Sequence, residues 1–465
     1  MIEVYYDNKK YGKQIEYAFK VMGNCCGHKV SFKESIAELR ENSNNSSLQI
    51  TYGKEAYHIG RGIHIYESLL FDDNKYLMKD SIPQLPLHKY NGMPLLFTSI
   101  SQTMYEKASD VQINMYLDIV QSIFFLLSNY EELVLTEQEY YDMHGRFMSQ
   151  NRILYQEKYH DKPLINEYVK QLCGLAEQIG LEKFWNMPSN ISVHITHDID
   201  HFFNYSTIEH LQMKYFKRVL FGPQKNKVIE GNEIINSIEK ENSLVSSWFF
   251  KARGNSKYDD PQKLDNKIFL QFVSELSTRG CEVGYHYSYN AATDEVLAEQ
   301  EANQIRKWLR VEYLCGRNHY LRYKMPKSWE IYDRTGIYYD TTQGDAACEG
   351  FLRGICIPYK LFDAMKGREL DVWEIPLIVM DTTLRSELYR NYSPQDALER
   401  IYELIDCVQH YSGVFSLLWH NTSIEGEYWE EWFKVVYKPL MEYFGTNSAS
   451  CRKGIDIIKK YQINN

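Results

Sequence analysis

Between residues 190 and 420 the chain keeps repeating one pattern, a short apolar run followed by a helical segment. The candidate strands are Ile191–His197, Ser247–Lys251, Cys281–His286, His319–Tyr323, Ile337–Thr341, Val372–Val379 and Val414–Trp419. Three intervening helices carry start signals. Pro261–Arg279 opens on Pro and is stopped by Gly280, Thr293-Asp-Glu-Val has an N-cap followed by acids, and Ser393-Pro-Gln-Asp has an N-cap followed by Pro. Strands separated by helices join as parallel βα units. Polar residues gather at the C-terminal strand ends: Asp198 and Asp200, Lys251 and Arg253, His286, Arg322, Asp340 and His420. A closed α/β barrel builds its active site at that end, from several strands at once.

The first of these strands runs Ile191-Ser-Val-His-Ile-Thr-His-Asp-Ile-Asp-His201. Alternation puts Ile191, Val193, Ile195, His197 and Ile199 on one face, which packs under helices. Ser192, His194, Thr196, Asp198 and Asp200 lie on the other. Two carboxylates aimed the same way repel unless a cation lies between them or one keeps a proton.

Residues 1–185 read as a smaller α/β unit. Ile2-Glu-Val-Tyr-Tyr is a strand, Lys13–Met22 a helix stopped by Gly23, and Lys29–Phe32 and Leu48–Tyr52 further strands. Asp118–Val134 reads as one helix, apolar on most sides and so central to this unit. Glu131 and Glu132 near its end read as a solvated face. Asp142-Met-His-Gly-Arg-Phe147 is a polar loop, and the stretch 186–190, Asn-Met-Pro-Ser-Asn, is the expected boundary before a second unit at 190–465.

Composition excludes several classes. With Lys plus Arg at 52 against 62 for Asp plus Glu, the net charge is −10. Nucleic acid is therefore not an expected partner, since phosphate binding wants a positive surface. The nine cysteines form no Cys-x-x-Cys pair, which gives neither a disulfide framework nor a structural zinc site. No apolar run approaches membrane-spanning length, and no secretory signal stands at Met1, so the expected location is cytoplasmic.

His286 and His420 end two strands of the unit that carries the Asp-x-Asp end. Carboxylate and imidazole together suit zinc or a similar divalent ion with one position left for water. Such an ion lowers the pKa of the water and polarises a carbonyl. One acid then binds metal while its neighbour, Asp198 in this assignment, takes the water's proton, and His420 protonates a leaving nitrogen. That inventory suffices for amide hydrolysis.

These residues resemble the polysaccharide deacetylase (NodB-homology) family, carbohydrate esterase family 4, whose fold is a distorted (β/α)7 barrel and whose members remove N-acetyl groups from sugars. Thr196-His-Asp-Ile-Asp200 is similar to the first motif, Thr-Phe-Asp-Asp, and His286-Tyr-Ser288 to the start of the His-Ser/Thr-x-x-His metal motif. Arg317-Asn-His-Tyr-Leu-Arg322 stands where the family has the arginine that steadies the base. Leu417-Leu-Trp-His420 is similar to the motif carrying the acid. The whole chain resembles a bacterial subgroup with an uncharacterised leading domain, through Phe125-Leu-Leu-Ser-Asn-Tyr-Glu-Glu132, Asp142–Phe147 and Asp371-Val-Trp-Glu-Ile-Pro-Leu-Ile-Val-Met-Asp381.

The resemblance implies Asp198, His420 and Arg317 as catalytic residues, and Asp200 and His286 as ligands of a divalent metal, zinc in the first instance. It implies substrate contacts from Ser288, Arg322, Asp371 and Glu374. Two departures stand out. Ile199 separates the acids, which leaves base and ligand interchangeable between Asp198 and Asp200. Asn290 replaces the second metal histidine, a place His319 can fill from the next strand.

The expected fold is thus a C-terminal distorted (β/α)7 barrel preceded by a smaller α/β domain, and the expected substrate an N-acetylated sugar or glycan precursor. Two other readings use the same residues. One is a carbohydrate-binding or assembly protein that has lost turnover; the other is an Asp-x-Asp metal-dependent glycosyltransferase, against which no glycine-rich or basic phosphate cradle is visible.

Overall fold

The structure is a computed structural model describing all residues except 42–46, 100–102, 203–226, 253, 255, 260–266, 425–428, 447–449 and 463–465. Arg253 and the predicted helix start at Pro261 lie outside the described residues; that helix is described from Lys267 to Thr278.

The leading domain is a six-stranded sheet of β1 (Ile2–Tyr6), β2 (Val30–Phe32), β3 (Leu48–Gly53), β4 (Gly62–Tyr66), β7 (Tyr105–Lys107) and β8 (Gln112–Met115). A two-residue ladder, β5 (Lys89–Tyr90) with β6 (Met93–Pro94), stands apart. The sheet order is β2-β1-β3-β4-β8-β7, parallel except for the β7–β8 pair. Its first helix runs Gly12–Cys26 and ends at Gly27 in the left-handed region (φ 75°), not at Gly23, because Cys25 and Cys26 extend the buried face by another turn. The predicted helix 118–134 is two, Ile119–Leu127 and Tyr130–Val134, broken where Asn129 turns left-handed (φ 55°). Asp118 caps the first by accepting from Gln121 N at 2.9 Å. All nine residues of that helix are buried, as its apolar surround requires.

The second sheet contains β9 (Ser192–Ile199), β10 (Ser246–Lys251), β11 (Glu282–Tyr287), β12 (Leu314–Asn318), β13 (Ile337–Asp340), β14 (Tyr359–Asp363), β15 (Arg368–Glu374), β16 (Val379–Met380), β17 (Val414–Leu418) and β18 (Ser450–Cys451). Its order is β14-β15-β13-β12-β11-β10-β9-β17-β16, with β18 alongside β9. All its pairs are parallel except β14–β15. The fold is an α/β barrel, curled and open between β14 and β16 among the described residues. Apolar strands wrapped by helices bury both faces, which parallel pairing requires.

Three expectations need correction. The predicted strand at His319–Tyr323 is five residues earlier, at Leu314–Asn318; His319 opens a tight turn in which Tyr320 (φ 62°) and Leu321 (φ 53°) are left-handed. Gly316 lets that strand lie close against β11, since a Cβ there would meet the Tyr285 carbonyl oxygen at 2.0 Å. The predicted run Val372–Val379 divides into β15 and β16, and β14 was not expected at all. Gly367 (φ 59°) turns the chain from β14 into β15.

The two domains share one continuous hydrophobic core. Tyr17 of the first helix donates to the Lys360 carbonyl at 2.7 Å, and Asn166 accepts from Cys356 N at 3.0 Å. Among the described residues no helix is long and apolar enough to cross a membrane.

Candidate active site

Strand register assembles the site. Lys251 pairs with His286 across β10 and β11, and His286 with Arg317 across β11 and β12. In-register residues of neighbouring strands point to the same face, so a lysine, a histidine and an arginine form one row near the C-terminal rim. β9 adds Asp198 from within the sheet and Asp200 just beyond it. On the opposite face of β9, His197 leaves the barrel and meets Glu239 at 2.7 Å.

Asp198 is fixed by Arg317, whose Nη1 donates to Asp198 Oδ1 and to Thr196 Oγ1, each at 2.9 Å. The guanidinium is fully buried and also donates to the Thr341 carbonyl at 2.8 Å. It therefore cannot swing, and it holds one carboxylate oxygen while the other faces His286 at 3.7 Å.

Asp200, His286 and His319 each bring one donor atom within 4.8 Å of the others. Asp200 Oδ1 lies 3.3 Å from His286 Nε2 and 3.1 Å from His319 Nε2. Bonds of 2.0–2.2 Å at a tetrahedral angle set donors about 3.3–3.6 Å apart, a range the 3.3 Å spacing meets and the 3.1 Å one falls just short of, close enough for a zinc-like ion. His286 Nδ1 meets the Arg317 carbonyl at 3.0 Å, leaving Nε2 as a buried nitrogen without a hydrogen-bond partner. Burial drives its imidazole toward the neutral form despite Asp198 and Asp200. A neutral ring, oriented through its other nitrogen, is what a metal-ligating histidine needs. His319 is oriented likewise, with Nδ1 2.9 Å from Asp259 Oδ1. Here burial is outweighed by the Asp200 and Asp259 carboxylates, which raise its pKa. Burial also opposes the charge on Asp200, yet Lys251 and His319 hold it well below the usual carboxylate range.

His420 faces the same cavity from the end of β17. Its Nδ1 is 2.7 Å from Asp381 Oδ1, and its backbone N–H donates to Asp381 Oδ2 at 2.8 Å. Burial disfavours the imidazolium, but Asp381, with help from Asp200 and Asp198, lifts the pKa to about 9. Asp198, Asp200, His319 and His420 all line one cavity of about 290 Å³, together with Arg146, Tyr320 and Tyr389.

Arg146 comes from the leading domain. Asp142 folds its loop by accepting from His144 N at 2.8 Å and Arg146 Nε at 2.7 Å, and Arg146 then reaches the Tyr320 carbonyl and the Tyr389 hydroxyl at 3.2 and 3.1 Å. The loop thus forms one wall of the site. A second cavity of about 250 Å³ adjoins it and shares Arg146, Leu321, Ala346 and Tyr389.

The four expected substrate residues do not line the 290 Å³ cavity. Ser288 is buried and donates to Glu301 at 2.8 Å. Arg322 donates to the carbonyls of His144, at 2.7 Å, and Tyr289, and so braces the loop. Asp371 alternates outward on β15, fully exposed and paired with Lys360 at 3.1 Å. Glu374 is buried beside Asp340; burial and Asp340 raise its pKa, and burial raises that of Asp340 as well. Glu131 and Glu132 are not solvated either. Glu132 sits between Arg152 and Arg353, at 2.7 and 2.5 Å. Asp259 and Asp381 were missed as site residues; Asp381 appeared only inside a longer string, and Asp259 lies on no regular element.

Residues 2–180 match a family of unknown function, DUF7033. No curated protein matches the chain. Among solved structures, one assigned as a polysaccharide deacetylase of Mycobacterium smegmatis is similar at 12% identity and a TM-score of 0.42, covering 60% of this chain and 94% of that one. The chitin deacetylase of Colletotrichum lindemuthianum gives 11%, 0.25, 50% and 86%. A carbohydrate deacetylase, Agd3, gives 7%, 0.34, 95% and 84%, spanning both domains. Identities this low leave the chemistry to this chain's own residues.

Proposed function

We propose that the protein hydrolyses the N-acetyl amide of a sugar or glycan precursor with the help of a divalent metal. What carries the reading is the opposition, across one 290 Å³ cavity, of an arginine-held carboxylate and an aspartate-held imidazole beside three metal-compatible donors. That volume is at the small end for ligand clefts, about 300–1,000 Å³, and suits one sugar residue with its acetyl group.

Asp200, His286 and His319 would hold the ion, which supplies a polarised carbonyl and a more acidic water. Asp198 would take the proton of the attacking water, its second oxygen left for the task by Arg317. His420, charged below about pH 9, gives its Nε2 proton to the departing amine. Tyr320, Tyr389 and Arg146, which also line the cavity, are the further groups available to the sugar.

Acetate release from N-acetylated sugars is the direct test. Activity is expected with zinc, to fall at least about 100-fold after chelation, and to return on adding metal back. Release that a chelator leaves unchanged argues against metal assistance, and no release from any N-acetyl sugar argues for a binding protein.

The pH profile tests His420 separately. Because the working form is protonated and Asp381 raises its pKa, His420 contributes the alkaline limb, with activity lost as pH climbs through that raised pKa. Asp381→Asn removes the charge that raises it, so the alkaline limb of kcat/KM should move down toward about 6.5. An unmoved limb would assign it to another group.

A further inference from the structure

Lys251 ends β10 with its side chain only 1% exposed. Its ammonium nitrogen lies 3.3 Å from Asp200 Oδ1, 3.3 Å from His319 Nε2 and 3.4 Å from Asp259 Oδ1. The first two are also donor atoms of the metal-compatible triad, and they are 3.1 Å apart. An ion bonded to both at about 2.1 Å would lie within about 4.3 Å of this nitrogen, whatever its position around that edge. Like charges so close in an enclosed pocket repel strongly.

We infer that Lys251 and the divalent ion are alternative occupants of one cation site, and that the lysine thereby sets how tightly metal is held. The inference rests on the metal-assisted reading above. Without metal, the ammonium shares with His319 the compensation of Asp200 and Asp259, two carboxylates that both lie against that imidazole. With metal, Nζ must leave Asp200 Oδ1 and His319 Nε2, and Asp259, 3.4 Å away, is the partner it keeps. A histidine–carboxylate pair orienting a metal ligand needs no lysine, so its presence here calls for a role of its own.

Calorimetric titration of zinc into metal-stripped, full-length protein tests this. Lys251→Met and Lys251→Gln are expected to bind at least about 100-fold tighter than the wild type, and Lys251→Arg within about threefold of it. Neutral variants that bind zinc no tighter, or not at all, overturn the inference. Because both neutral variants remove a buried positive charge beside two acids, and Lys251→Gln alone keeps hydrogen-bond donors there, the melting temperature supplies a second readout. Zinc should raise Tm more in the neutral variants than in the wild type, and equal shifts count against competition. Acetate release is measured apart: tighter zinc binding without hydrolysis leaves the competition standing and removes the proposed reaction.

Discussion

Asp198→Asn is expected to lower kcat/KM for acetate release by about 1,000-fold, since a positioned base contributes roughly 10²–10⁴. The substitution keeps the shape of the side chain but not its capacity to take a proton. Zinc content should not change if, as proposed, Asp200, His286 and His319 hold the ion. Asp200→Asn is expected to do the reverse, losing metal first and activity with it. The pair of variants decides what the sequence leaves open around Ile199, namely which acid is base and which is ligand. The geometry favours Asp198 as base because Arg317 already holds one of its oxygens at 2.9 Å. Activity within tenfold of wild type in Asp198→Asn, or metal lost from that variant alone, would reverse the assignment. Arg317 loses its buried counter-charge in this variant, so both measurements belong well below its melting temperature, with the fold checked by circular dichroism.

Strand ends were the legible part of this chain. Period-two alternation on β9 separates the helix-facing His197 from the cavity-facing Asp198, and apolar runs mark β10, β11, β13 and β17 to within a residue or two. Turns broke the reading. His319-Tyr-Leu looks like strand because its residues are aromatic and apolar, but two left-handed residues make it the turn that aims His319 at Asp200. The hairpin strand β14 hides its alternation, because Leu361, Phe362 and Asp363 are buried in succession. Partners distant in sequence were not readable at all. Nothing local tells that Asp259 will meet His319 sixty residues later, or that Lys251 will share their cluster. Ser288 shows the converse: a motif match placed it at the site, whereas the strand end turns its hydroxyl to Glu301.

Glu132 is where that blindness has the largest structural consequence. An acid pair near a helix end has the same composition whether it is solvated or buried, and only Arg152, Tyr323 and Arg353 decide the matter. Tyr323 donates to Glu132 at 2.8 Å, completing a closed set with the two guanidiniums. Glu132 and Arg152 belong to the leading domain, and Tyr323 and Arg353 to the barrel, so one carboxylate joins the two. Burial opposes its charge, but the arginines outweigh burial and hold its pKa down at about 2. The stability it contributes is therefore present above the ordinary carboxylate pKa and is lost only as pH falls toward about 2. Glu132→Gln at neutral pH leaves two buried guanidiniums without their counter-charge, at an expected cost of about 3–5 kcal/mol. In thermal unfolding this should appear as a fall in Tm of several degrees. The adjoining Glu131 offers the control. Burial raises its pKa to about 7, and it accepts from Ile153 N at 2.8 Å, so an amide replaces it with far less loss. A Glu132→Gln protein as stable as Glu131→Gln would mean that the domains are held by the shared apolar core alone. A larger loss for Glu132→Gln, accompanied by lost acetate release at temperatures where the fold survives, would show that this junction also keeps Arg146 at the site.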